Sequence, residues 1–172
     1  MDLAIRFILS LLGVAFLGFL VILALHRDSS IETDIWIDSS PQVVWKVLTT
    51  TADYPSWNPE ISRLDGQLRN GNVIEFVEGS GPDAMVFHPK ILAVRPNHEL
   101  RWKGYVGFPG IFDGEHRFLL EAVGNQTHFI QGEKFTGIFS GRLTQDILTN
   151  TADSMRAMNA ALKKRVELLD KP

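Results

Sequence analysis

Three polar side chains in this sequence fall where they could meet inside an apolar interior: His116, Gln131 and Glu133. Each lies in a stretch whose polarity alternates with period two, and alternation assigns faces. In Glu115 to Glu121, the residues Glu115, Arg117, Leu119 and Glu121 form the charge-rich, water-facing set, so His116, Phe118 and Leu120 face inward. In Thr127 to Phe135, the inward set is Phe129, Gln131, Glu133 and Phe135, and His128, Ile130 and Lys134 face out. A buried carboxylate is costly without a partner, and His116 on the neighbouring strand is the natural one for Glu133. Such a pair can hold a ligand hydroxyl or carbonyl, or transfer a proton. The same two groups can also satisfy only each other and the sheet, and no residue is assigned as catalytic.

Other chemistries find less support. His26, His88, His98, His116 and His128 lack the close spacing of a metal motif, and there is no cysteine, so neither a metal nor a cofactor is expected. Gly137 to Gly141 (GIFSG) has the glycines of a nucleophile elbow, but Phe139 occupies the nucleophile position. The glycines of YVGFPGIFDG sit between two strands rather than between a strand and a helix, so they do not form a phosphate cradle. They read either as a mobile loop at a cavity mouth or as a plain hairpin turn. A net charge of −3 provides no electrostatic footprint for nucleic acid.

The elements that must position these residues follow from periodicity. Ile31, Thr33, Ile35 and Ile37 alternate with charged or large polar-facing neighbours and form a strand. Ser39-Ser40-Pro41 opens a helix, with serine as cap and proline in the first turn; Val44, Val47 and Leu48 give it a buried face. In DYPSWNP (53 to 59), Tyr54 and Asn58 each precede a proline and are pushed away from helical geometry, so only one helical turn fits between them. Trp57 there either packs as structure or also bounds a pocket. Six strand-like runs follow: Ile61–Leu68, Val73–Val77, Ala84–Val94, Glu99–Tyr105, Glu115–Ala122 and Thr127–Phe135, separated by short turn signals. Short links imply an antiparallel meander. Finally Leu143, Ile147, Met155, Met158, Leu162, Val166 and Leu169 recur near the helical period. A sheet of about seven strands must curl, and one long helix lying across it leaves an interior.

The N-terminus meets a different solvent. Phe7 to Leu25 is free of charge and long enough to cross a hydrocarbon core of roughly 30 Å. It lacks a small-x-small cleavage site before His26-Arg27, which favours a retained anchor over a removed signal peptide. The expected organisation is an anchor with its flank over residues 1–28, and a domain over 29–172. Arg6, His26 and Arg27 are too evenly split to orient the span.

With this element order on the page, the chain resembles the SRPBCC superfamily of helix-grip proteins, which includes START domains, birch-pollen-allergen-like proteins and polyketide cyclase/dehydrase-like proteins. The resemblance is carried by IDSSPQVVWKVLTTTADYPSWNP (37 to 59), VFHPKILAVRPNHELRWKG (86 to 104), GEHRFLLE (114 to 121), QGEKFTG (131 to 137) and MNAALKKRVE (158 to 167). It implies an α+β fold: a curved antiparallel sheet around a long C-terminal helix, with two short helices after the first strand. It further implies a hydrophobic small molecule or lipid held between sheet and helix. The wall expected for that cavity is Trp57, Met85, Phe87, Trp102, His116, Phe118, Phe129, Gln131, Glu133, Met155 and Met158. The expected function is a membrane-anchored binding module. The alternatives are a cyclase/dehydratase-like enzyme using the cavity His and Glu, and a protein-interaction module.

Overall fold

Proline 89 shapes the sheet. The computed structural model describes residues 2–25, 28–142 and 145–170. Along the chain run α1 (Leu3–Leu25), β1 (Ser29–Ile37), α2 (Pro41–Thr49), α3 (Tyr54–Trp57), β2 (Ile61–Asp65), β3 (Glu75–Glu78), β4 (Met85–Phe87), β5 (Lys90–Arg95), β6 (Glu99–Val106), β7 (Phe112–Val123), β8 (Gln126–Thr136) and α4 (Gln145–Leu169). The run expected as one strand over Ala84–Val94 is two, interrupted at His88-Pro89, where Pro89 has no N–H for the ladder. β4 joins β3, while β5 joins β6. The described strands therefore number eight rather than about seven.

Five strands lie in the order β1-β8-β7-β6-β5 and three in the order β2-β3-β4, every pair antiparallel. The segment before β3 stitches the two together. Gly71 N–H donates to Ile91 O (2.9 Å), Ile91 N–H to Asn72 O (2.8 Å) and Ile74 N–H to Pro89 O (3.0 Å). The result is one curved antiparallel surface gripping α4, the α+β helix-grip arrangement. β2 ends at Asp65, short of the expected Leu68, and Val73 contributes a single bridge ahead of β3.

The inward parities hold. Phe118, Leu120, Phe129, Leu100 and Ile37 are buried against Leu162 and Val166 of α4 and Val44 and Leu48 of α2. Each such aliphatic or aromatic side chain contributes about 1.5–3 kcal/mol of hydrophobic stabilisation. The second half of α4 is clamped to the β1–α2 corner by polar bonds: Asn159 Nδ2 to Thr33 Oγ1 (3.0 Å), Lys163 Nζ to Trp36 O (2.6 Å) and Ser39 Oγ to Asp170 Oδ2 (2.6 Å). Leu169, expected on the buried face, is exposed at the last residue of the helix. Leu143 lies outside the described residues. Pro41 opens α2 as expected, although the Ser40 hydroxyl makes no capping bond.

α1 has no buried residue among those described, and its Leu3–Ile22 portion is long and apolar enough to cross a membrane by length and composition; an anchor and a signal sequence share those properties.

Candidate functional site

The curl of the sheet leaves a cavity of about 350 Å³ under the first half of α4, at the lower end of the range for small-molecule sites. Small residues create the space. On the sheet, Gly104 pairs with Gly114, and Gly114 with Phe135, so two adjacent inner positions carry no side chain. On the helix, Thr151 and Ser154 fill the same role, and all four residues line the cavity.

The polar groups come from the next rows inward. Trp102 pairs with His116, and His116 with Glu133, across three neighbouring strands. The indole of Trp102 stacks on the imidazole (centroids 5.4 Å apart, planes 18° apart) and holds its orientation. Gln131, one row deeper and 2% exposed, places its amide Nε2 2.9 Å from His116 Nε2. On the other side of the ring, His116 Nδ1 lies 3.5 Å from Glu133 Oε2. Gln131 Nε2 also reaches the sulfur of Met158 at 3.6 Å, tying the line to α4. A glutamate, a histidine and a glutamine thus form one polar seam in an otherwise apolar wall.

Two further acids belong to the site and were not singled out from sequence: Glu60 and Glu78. Burial raises the pKa of the Glu78 carboxyl above its ordinary value. The nearby charges of Glu133 and Glu60 raise it further, and His116 partly offsets the shift. Their signal was present. Glu78 has the parity of Phe76, and both line the cavity from β3. Among the described residues, no three His, Asp or Glu side chains are grouped to hold a metal.

Of the residues expected on the wall, Met85, Phe87, Trp102, His116, Gln131, Glu133, Met155 and Met158 line the cavity. Phe118 and Phe129 point inward but are fully buried in the packed core, stacked on each other at 5.8 Å. Trp57 lies outside the wall. It meets Tyr54 edge-on (5.0 Å) and packs on the core from α3. The DYPSWNP turn is set by Asn58, whose Oδ1 accepts from the N–H groups of Glu60 and Ile61 at 2.9 Å each, and by Tyr54, whose buried hydroxyl donates to Leu48 O (2.7 Å). The glycine-rich loop between β6 and β7 stands at the cavity mouth, where Tyr105, Val106 and Phe112 form part of the rim.

Solved structures share this architecture at low sequence identity. Protein MLL2253 from Mesorhizobium loti superposes with a TM-score of 0.66 at 17% identity, covering 83% of this chain and 100% of that one. A START superfamily protein from Mycobacterium smegmatis gives 0.65 at 17%, covering 81% and 98%. The Zhui aromatase/cyclase from Streptomyces sp. R1128 gives 0.64 at 13%, covering 82% and 94%. At these identities the likeness establishes the fold. No curated protein matches the sequence. Residues 29–167, nearly the whole of the chain beyond α1, match one family in sequence as well. The gripped helix, the curved sheet and the cavity between them are that family's ligand-binding frame, and the chain belongs to the polyketide cyclase / dehydrase and lipid transport family.

Proposed function

We propose that the protein is a membrane-anchored binding module for a lipid or other hydrophobic small molecule, with residues 1–28 as anchor and flank and 29–172 as the binding domain. The observation that carries this reading is the cavity, a space of about 350 Å³ whose wall is mainly aromatic and aliphatic, with polar groups gathered in one seam. Apolar walls with a few convergent polar groups suit an apolar ligand bearing a polar end. Met85, Phe87, Trp102, Met155 and Met158 are the proposed apolar contacts, and His116, Gln131 and Glu133 the proposed polar ones. The charge-free α1 supports anchoring, which would keep the cavity beside a reservoir of such molecules. The test is to purify the full chain from membranes, extract it with organic solvent and identify what it carries by mass spectrometry. A recurrent hydrophobic molecule supports the reading. A clean extract, together with no retention of added hydrophobic ligands, refutes it.

One observation favours a second reading, a cyclase/dehydratase-like enzyme. The Glu133–His116–Gln131 seam sets an imidazole between a carboxylate and an amide at a cavity wall, an arrangement suited to proton transfer. In that case His116→Ala abolishes turnover of a polyketide-like substrate while the substrate still binds. Equal loss of binding and turnover would assign His116 to recognition alone. The protein-interaction reading would gain from a cavity filled by side chains, and a space of about 350 Å³ gives it no such support.

A further inference from the structure

The cavity mouth carries an apolar surface that the binding reading leaves unused. At the β6–β7 tip Phe108 is 77% exposed, and Tyr105 and Val106 beside it are more than half exposed. Ile138 and Phe139, just after β8, are also exposed. Residues 104–112 (GYVGFPGIF) and 135–141 (FTGIFSG) contain no charged side chain. The nearest charges at the base of the tip, Lys103 and Asp113, neutralise each other at 3.0 Å.

The two apolar segments form one braced platform. Ile138 N–H donates to Gly110 O and Phe139 N–H to Ile111 O, both at 3.0 Å, and Gly110 N–H donates to Asp113 Oδ1 at 2.8 Å. Gly137 permits this approach. Its φ is +112°, and a Cβ there would meet Ile111 O at 2.7 Å. The aromatic tips are therefore held outward by backbone bonds.

Topology places this platform at the end of the sheet where α1 enters. Ser29, the first residue of β1, pairs with Phe135, Phe135 with Gly114 and Gly114 with Gly104. The β6–β7 tip departs from the sheet just beyond that row. From the end of α1 at Leu25 to Ser29 the chain can span at most about 14 Å. A bilayer holding α1 therefore lies close to this end, while the Gly124-Asn125 turn is on the order of 35 Å away along β7.

We propose that the Phe108 tip and the Ile138–Phe139 segment dock into the bilayer that holds α1, so that the cavity opens onto lipid and exchanges its ligand directly with the membrane. Exposed aromatics on a charge-free, braced rim match the interfacial region of a bilayer. The proposal rests on the reading of α1 as an anchor and extends the binding function to a membrane-resident ligand.

The absence of native cysteine makes the test direct. Single variants Phe108→Cys, Val106→Cys, Asn125→Cys and Leu12→Cys of the full chain are labelled with bimane. They are then reconstituted in phosphatidylcholine vesicles in which part of the lipid carries bromine on its acyl chains. Quenching at 108 and 106 of the same order as at 12, and several-fold above that at 125, is the expected result. Quenching at 108 and 106 no greater than at 125 overturns the docking, and absence of quenching at 12 overturns the anchor along with it. Extraction of bound molecules from the same samples keeps the two claims apart. A carried ligand with a water-exposed tip sinks the docking alone, whereas a quenched tip without a ligand sinks the binding function alone.

Discussion

Gln131 Nε2 lies 2.9 Å from Nε2 of His116, so a fully buried amide anchors an imidazole on the cavity wall. The bond faces two ways. It stabilises the interior, and it holds the ring with Nδ1 3.5 Å from Glu133 Oε2. Replacing Gln131 by Leu removes the amide and leaves His116 Nε2 without its partner. Unfolding in urea should show a loss of about 1–3 kcal/mol, the usual cost of orphaning a buried polar group. Unchanged stability would mean that the bond contributes nothing to the fold.

Glu133 can be moved without being mutated. A Cβ on Gly114 would come within 2.8 Å of Glu133 Oε1, the far end of a flexible side chain, and Gly114 has an ordinary backbone conformation. Gly114→Ala should therefore displace the carboxylate from His116 at little cost in thermal stability. Affinity for the carried ligand should fall several-fold, read by titration of the extracted molecule against the purified chain. Unaltered affinity would show that Glu133 takes no part in binding.

Glu78 should make ligand binding depend on pH. Its folded pKa is raised, first by burial and then by Glu133 and Glu60. An uncharged ligand seated against it desolvates it further and raises it again, so binding takes up a proton. Affinity for an uncharged naphthylamine dye should rise as pH falls through the raised pKa and level off below it. Glu78→Gln should flatten the profile at the high-affinity level. A wild-type profile that is already flat would separate Glu78 from the ligand.

The outer face of the sheet has its own pH dependence. His128 stacks on Trp36 (4.6 Å) and contacts Asp34 Oδ2 (2.8 Å) and Glu121 Oε2 (3.3 Å). The hydrogen bond that His128 donates to Asp34 chiefly raises its pKa, with burial opposing and Glu121 adding. A raised folded pKa means stability fully present below the unfolded value near 6.5, and lost as pH rises through the folded value. Melting temperatures should fall across that window in the wild type and change less in His128→Gln. Parallel curves for the two proteins would contradict the assignment.

Core and cavity should separate under mutation. Phe118 is wholly buried in the core cluster and absent from the cavity wall. Phe118→Ala should cost about 3–5 kcal/mol of stability. Ser154→Trp fills the cavity from α4 and should abolish ligand retention while the chain still unfolds cooperatively. Ligand retention by Ser154→Trp at the wild-type level would place the ligand elsewhere.

Much of this arrangement was legible in the sequence because strand alternation carries it. The parities of His116 with Phe118, and of Gln131 with Glu133, put the polar seam on the inner face before any coordinates. What alternation cannot give is depth along a strand. Phe118 and His116 share a parity, yet one is core and the other is wall, because the glycines at 104 and 114 open space only toward one end. Glu78 was not legible because β3 is short and its partner strand stops at Phe87, which hides the register that pairs it with Met85. Trp57 was placed too near the cavity, since the turn that holds it is set by Asn58 bonds that no periodicity reports.

The most direct measurement of the central claim is a count of molecules carried per chain. Wild type and Ser154→Trp are purified side by side from membranes, extracted, and quantified by mass spectrometry against protein amount. A single hydrophobic species near one per chain in the wild type, and its loss from Ser154→Trp, is the predicted result. No such species in the wild type, or equal amounts in both proteins, would contradict a binding function for the cavity.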